Sequence, residues 1–426
     1  MRTIKDIANP IAWLTLGLAV AIGAASWGCR SPAGPPPTLD QVAEGYVRVA
    51  LQLAQHDPDL VDDWRGPEEW KPGPRTPVAP ILEQVRLLRR TLDSVSGTAT
   101  GVDRYRAAYL DGQLAALASA AGRLLGETQA FDDEAREAVG VTTPFRTDPA
   151  AMASARDALA HLLPGDGLLD QRYAAYKARM AVSEARIDAV LREALAACRE
   201  VTTAAMALSA DEHVEVVLGG GSRWDGFARY LGGHRTRIEI NRQSAFDVTR
   251  ALRLACHEGY PGHHVQYLRI DDELVVGRGW REFGLSPGFG PHLVFAEGTA
   301  EAAADAAFPS MEREALYRER LLPAAGLPAG EAARLVQVED LIAVLEPAIA
   351  DISRAYLDNT ITHAQATERL RSEALTQEPG ALLAFAERRR ARLLAYPEGR
   401  ARARTSMGRD GLAAIARWYG SAPFRF

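Results

Sequence analysis

The sequence predicts a mainly α-helical fold with a small β-sheet, and three observations predict it. Apolar residues recur at helical spacing through most of the chain, strict alternation is confined to residues 235–241, and Pro and Gly gather between the periodic segments. The chain has 426 residues, 47% apolar and 24% charged, a globular balance without the long apolar runs of a multi-span membrane protein. Its formal net charge of −6 lacks the basic excess that phosphate binding requires, so no nucleic acid is expected as a partner.

Residues 1–28 read as a signal peptide. Arg2 and Lys5 precede an apolar run from Ile11 to Ala25, which leads through Ser26, Trp27 and Gly28 to Cys29. The run is shorter than the roughly 20 residues that span a bilayer. Cys29 and the Pro-rich linker it opens (29–38) resemble a bacterial lipoprotein processing site. The expectation is an exported protein, periplasmic or at the cell surface, that touches a membrane only through a candidate lipid anchor at Cys29.

Residues 39–210 read as an N-terminal helical region. Val42, Tyr46, Val49 and Leu53 hold helical spacing, as do Ile81, Val85, Leu88 and Leu92, and then Tyr105, Tyr109, Leu114, Leu117 and Leu124. Pro and Gly clusters near 72–79, 143–149 and 164–167 mark loops. Residues 168–209 contain neither Pro nor Gly, which predicts one long helix. Residues 211–426 form the expected metal-binding region. It opens with Val214, Val216 and Val217 before the turn Gly219-Gly220-Gly221-Ser222, which lacks the Lys of a phosphate loop. Arg235–Asn241 then alternates as a half-buried strand does. Three cysteines, Cys29, Cys198 and Cys256, are too few for a disulfide scaffold, and Cys256 is expected to face the core.

The chemistry concentrates at His257-Glu258-Gly259-Tyr260-Pro261-Gly262-His263-His264, which follows an apolar helical run. Two imidazoles on one helix face grip a zinc ion in hydrolases of this type, and the Glu beside the first acts on the attacking water. The ordinary spacing puts the second His one turn on, where this chain has Pro261. A bulge or kink at Pro261-Gly262 would bring His263 to that place. His264, seven residues from His257, is the competitor because it returns to nearly the same face of a straight helix. Glu297 and Glu301 share a helix face and lie among apolar residues. One of them suits a third ligand and the other an orienting partner for an imidazole.

His257–Gln266, together with Glu297-Gly298 and the alanines after it, resembles the bacterial family catalogued as domain of unknown function 885, over about Trp224 to Tyr396. That family is placed among gluzincin-like zinc peptidases related to the helical oligopeptidases. The resemblance implies a gluzincin-like architecture, zinc as cofactor, His257, His263 and Glu297 as ligands, Glu258 as general base and Glu301 behind the ligands. It makes Arg235–Asn241 the edge along which an extended substrate lies. The family's late Tyr-x-x-Gly is matched by Tyr396-Pro397-Glu398-Gly399, so Tyr396, with Arg400 after it, is the candidate oxyanion donor. Thr299 stands where the family commonly has Trp, a change assigned to the pocket wall. The Gly-rich stretch 275–292, with Trp280, Phe283, Phe289 and His292, reads either as a substrate lid or as a loop held by its aromatics. The expected substrate is a peptide or small amide. The alternatives are a non-catalytic exported binding protein and a zinc hydrolase of another amide or ester.

Overall fold

In the computed structural model, residues 36–420 are described except 98, 143, 145 and 220–224. The signal segment, Cys29 and the turn at Gly220-Gly221-Ser222 lie outside the described residues. Helices hold 68% of the described residues and strands 8%, so the fold is mainly α with a small sheet. The first seven helices are α1 (Leu39–Ala54), α2 (Val78–Ser96), α3 (Gly101–Leu124), α4 (Phe131–Val139), α5 (Pro149–Leu162), α6 (Leu169–Arg179) and α7 (Ile187–Ala205). Around the site follow α8 (Val248–Leu254), α9 (His263–Ile270), α10 (His292–Glu301) and α11 (Ala303–Ala307). The rest are α12 (Ser310–Leu316), α13 (Leu322–Ala325), α14 (Ala332–Leu345), α15 (Pro347–Leu357), α16 (His363–Ser372), α17 (Pro379–Arg389), α18 (Ala395–Met407) and α19 (Leu412–Tyr419). No helix among the described residues is long and apolar enough to cross a membrane.

The long helix expected over 168–209 is two helices. The chain leaves helical geometry after Arg179, where Ala181 bridges Asp247 and the Val182 N–H donates to the Phe246 carbonyl at 2.8 Å. Helical propensity there yields to a tertiary strand pairing, which needs no Gly or Pro and leaves no local signal. The same Asp247 caps α8, its Oδ1 accepting from the Arg250 N–H at 2.9 Å.

Strands β2 (His213–Gly219), β3 (Gly226–Gly232) and β4 (Arg235–Asn241) form a sheet in the order β2-β4-β3. β4 pairs parallel with β2 and antiparallel with β3, so Arg235–Asn241 is the central strand and not the expected edge. Alternation reports that one face is buried, here through Thr236, Ile238 and Ile240. It carries no information on whether both strand edges are hydrogen-bonded. The edge nearest the site is β3.

A second pairing joins β1 (Val61–Trp64) antiparallel to β5 (Leu285–Pro287), with a bulge between Val61 and Asp63. It ties the Gly-rich stretch to the N-terminal helices. Phe283 stacks on Tyr109 at 4.6 Å, and Arg106 Nε meets Glu282 Oε1 at 2.6 Å in a buried pair. Of the two readings for 275–292, the structure has the packed one. The largest core gathers α7, α8, the inner face of the sheet and α11–α14, while a second core lies between α1, α2 and α3. Two of the three cysteines are bonded after all: Cys198 of α7 and Cys256 form a disulfide with Cα atoms 5.7 Å apart. Their separation of 58 residues hid the pair from any local pattern.

Candidate metal centre

α8 continues without a break into a π-helical turn, Ala255–Gly259, which carries His257 and Glu258. The Tyr260 N–H reaches back to the Ala255 carbonyl at 3.2 Å, and the Gly262 N–H to that of Cys256 at 3.0 Å. The wider turn takes up extra residues relative to an α-helix, a device common at functional sites. The Tyr260–Pro261 peptide is cis, and α9 starts afresh at His263. Gly262 is obligatory here, because a Cβ on it would lie 1.8 Å from the His257 carbonyl oxygen. The kink expected at Pro261-Gly262 is therefore real, and the helix widens one turn ahead of it. Together they bring the His257 and His263 rings to 4.7 Å between centroids, nearly perpendicular.

α10 supplies the carboxylates, and a second close approach fixes them. At Gly298 and Gly399 the backbones of α10 and α18 touch: a Cβ on Gly298 would come within 2.4 Å of the Gly399 backbone, and one on Gly399 within 2.3 Å of the Val294 carbonyl. Glu297 and Glu301 flank Gly298, while Tyr396 and Arg400 flank Gly399. The Glu-Gly pair and the Tyr-x-x-Gly signature are the two halves of one helix crossing.

His257 Nε2 and His263 Nε2 each lie 3.5 Å from Glu297 Oε2, and the three ligand atoms all fall within 4.8 Å of one another. Ligands at 2.0–2.1 Å around a tetrahedral ion stand about 3.3–3.4 Å apart, so the set fits zinc. His257 Nδ1, 3.2 Å from Glu301 Oε1, is steered by that carboxylate. His263 Nδ1 lies 3.2 Å from Gln266 Oε1, which assigns its N–H to that side and leaves the Nε2 lone pair facing Glu297. Gln266 is itself held by Nε2 contacts to the Ala296 carbonyl (2.9 Å), Thr299 Oγ1 (2.7 Å) and the Tyr419 hydroxyl (3.1 Å). Thr299 is thus no pocket wall; it is fully buried behind Gln266 and donates to the Phe295 carbonyl at 2.8 Å.

The charges agree with this assignment. Burial works against ionised Glu297, but the charge of His263 and contacts with both imidazoles outweigh it and hold the carboxyl far below its usual range. Glu301 is likewise lowered to about 2 against burial, by contact with His257 and by its charge, with Arg253 and Arg400 adding to it. Burial disfavours charge on His257 and His263, yet the facing glutamates raise the pKa of both rings. The carboxylates thus favour positive charge at the ring nitrogens, which protons supply in the ion-free state and a divalent ion bound to the neutral rings would supply in their place.

His264 points elsewhere. It is fully buried, with Nδ1 2.8 Å from Thr236 Oγ1 and Nε2 2.9 Å from Glu212 Oε2, so it does not compete for the ion. Glu258 is buried beside His257, and burial raises its pKa, partly offset by the two imidazoles. Gly226 of β3 passes directly over it: a Cβ there would sit 3.0 Å from Glu258 Oε1. Tyr396 lines the same cleft, its phenol pushed far up by burial and then by Glu297. Arg400 is engaged by Glu346 and by Asp305, the latter at 3.1 Å, and so anchors the carboxylates behind the centre. The cleft encloses about 1300 Å³. Gln266 and the glycine crossing were missed as functional features, although both stand inside motifs the sequence displays.

No family model matches this chain, and no curated protein matches it. Among solved structures it is similar to "the putative lipoprotein from Colwellia psychrerythraea", at 15% identity and a TM-score of 0.46, covering 91% of this chain and 76% of that one. It is also similar to "a putative lipoprotein of unknown function from Shewanella oneidensis", at 14% identity and a TM-score of 0.41, covering 92% and 72%.

Proposed function

We propose that this chain is an exported zinc-dependent peptidase of the kind its signature resembles, the family catalogued as domain of unknown function 885. The observation that carries the reading is the convergence of His257, His263 and Glu297 in one cleft, with Glu258 beside them and Tyr396 across the helix crossing. Zinc, when bound by those three residues, supplies a Lewis acid that polarises a carbonyl and makes water acidic. Glu258, buried and with a raised pKa, is suited to take a proton from the attacking water and return it to the leaving amine. β3, which ends the sheet among the described residues, offers main-chain hydrogen bonds to an extended substrate, and Gly226 leaves room for that backbone above Glu258. The Tyr396 hydroxyl, kept protonated by burial, donates to the oxyanion. The Cys198–Cys256 disulfide supports an oxidising compartment, in keeping with export.

Metal analysis of the mature protein tests the reading. One zinc per chain is expected in wild type and in His264→Ala, and little in His257→Ala, His263→Ala and Glu297→Ala. Zinc-loaded wild type should cleave members of a peptide panel that Glu258→Gln leaves intact. No metal after reconstitution, or full activity in Glu258→Gln, overturns the reading.

A further inference from the structure

One carboxylate in the cleft has no task in this scheme. Asp62 is the extra residue of the β1 bulge: Val61 pairs with Pro287 and Asp63 with Ser286, and Asp62 pairs with neither. Pro287 has no N–H to offer a regular ladder, which favours the bulge, and bulges re-aim side chains beside active sites. Asp62 lines the same cleft as Glu297, Tyr267 and Tyr396. Its charge acts on both phenols and is felt together with that of Glu297.

The protein does not satisfy this carboxylate. Among the described residues its side chain makes no hydrogen bond and no ion pair. Of the charged groups that face it, Arg392 gives Nη1 to the Asp59 and Gly288 carbonyls at 3.1 and 3.0 Å, and Arg389 gives Nη1 to the Asp59 carbonyl at 3.3 Å. These guanidiniums clamp the backbone beneath the bulge. Asp59 and Glu297, the other neighbours, are carboxylates. Burial raises Asp62 to about 6, with Arg389 and, more weakly, Arg392 opposing through charge alone, so near neutral pH an anion stands in the cleft without a direct hydrogen-bond or ion-pair partner. The carboxylate is only partly covered, so its oxygens are open to the cleft, where a ligand's cation can reach them.

We propose that Asp62 is the seat of a substrate ammonium group, the free amino terminus of a short peptide, and that it makes the enzyme an exopeptidase acting near that terminus. The inference rests on the peptidase reading. Asp62 shares the cleft with Glu297 and feels its charge, so the proposal places an α-amino group at Asp62 with one of the peptide's first carbonyls, only a few bonds away, towards His257, His263 and Glu297. A lysine side chain offers the same ammonium on a longer arm, and the experiment separates the two sources.

The zinc-loaded Glu258→Gln protein is titrated calorimetrically with Ala-Ala-Phe, acetyl-Ala-Ala-Phe and acetyl-Lys-Ala-Phe. The free-amine peptide should bind about 10- to 100-fold more tightly than either acetylated one, the range of a charge-assisted hydrogen bond. Adding the isosteric Asp62→Asn should equalise all three, with zinc content unchanged and thermal stability equal or higher. A merely structural aspartate would instead lose stability on that change. Equal binding in the parent protein, no binding at all, a preference that survives Asp62→Asn, or tight binding of acetyl-Lys-Ala-Phe overturns the proposal. Hydrolysis of Ala-Ala-Phe by wild type is scored separately. Asp62-dependent binding without hydrolysis sinks the peptidase reading and the exopeptidase assignment with it but keeps Asp62 as the ammonium seat, and hydrolysis without amine preference sinks the Asp62 proposal alone.

Discussion

α9 opens with two adjacent histidines that serve two different His–Glu clusters, and the contrast shows what separates a candidate metal site from a packed polar core. Around His264, each polar atom has a protein partner. Nε2 faces Glu212, Nδ1 faces Thr236, and Glu212 also meets Tyr260 and Arg199. Burial holds His264 below its usual pKa, so it is neutral and donates from Nε2 to Glu212 as a hydrogen bond. His263 has the opposite tautomer: Nδ1 is used by Gln266 and Nε2 is left for an ion. The same residue types give a closed network on one face of the helix and an open ligand set on the other. The difference lies in which ring nitrogen the second partner takes.

The sharpest way to break this comparison is to exchange the roles. His263→Ala should lose bound zinc and all hydrolysis while keeping its melting temperature near that of the apo wild type. His264→Ala should keep zinc and lose about 2–4 kcal/mol of stability through a cavity and an under-satisfied Glu212, read by denaturant unfolding. Glu258→Gln should lower kcat by about 10²–10⁴-fold with metal retained, measured on the best peptide of the panel. Gly298→Ala should push α10 off α18, costing about 1–3 kcal/mol and separating Glu297 from Tyr396, so that activity falls further than zinc content. Gln266→Ala should weaken zinc binding about 10- to 100-fold in chelator competition, because His263 loses the partner that fixes its tautomer. The smallest effect is in pH. Glu212 is lowered from 4.5 to about 2, outweighing burial through His264, Tyr260 and Arg199. Its contribution to stability is full above about 4.5 and fades as pH falls towards 2. Melting temperature should therefore drop less steeply across that window in Glu212→Gln than in wild type.

Much of the centre was legible in the sequence. His257, Glu258 and the interrupted spacing announced a ligand helix with a break, and Glu297 and Glu301 announced themselves as charges among apolar neighbours. The choice between His263 and His264 was not legible, because Thr236 and Glu212, which claim His264, lie 28 and 52 residues away on other elements. The split between α6 and α7 was invisible for the same reason: the pairing of Ala181 and Val182 with Phe246 and Asp247 is tertiary. Alternation located β4 but could not say that β3 covers its outer edge. Asp62 gave no signal, since a bulge depends on the register of a partner more than 200 residues on.

Gln266 draws one of its supports from Tyr419, 153 residues downstream. A ribosome thus delivers all three candidate ligand side chains long before the hydroxyl that helps to steady one of them. Until α19 has been made and docked, the nascent chain holds an unfinished chelator whose imidazole is free to turn. If these residues hold an ion as proposed, its loading is accordingly a late step in maturation. On the proposed reading of an exported zinc protein, the ion would then be set by the supply at its destination rather than at its place of synthesis.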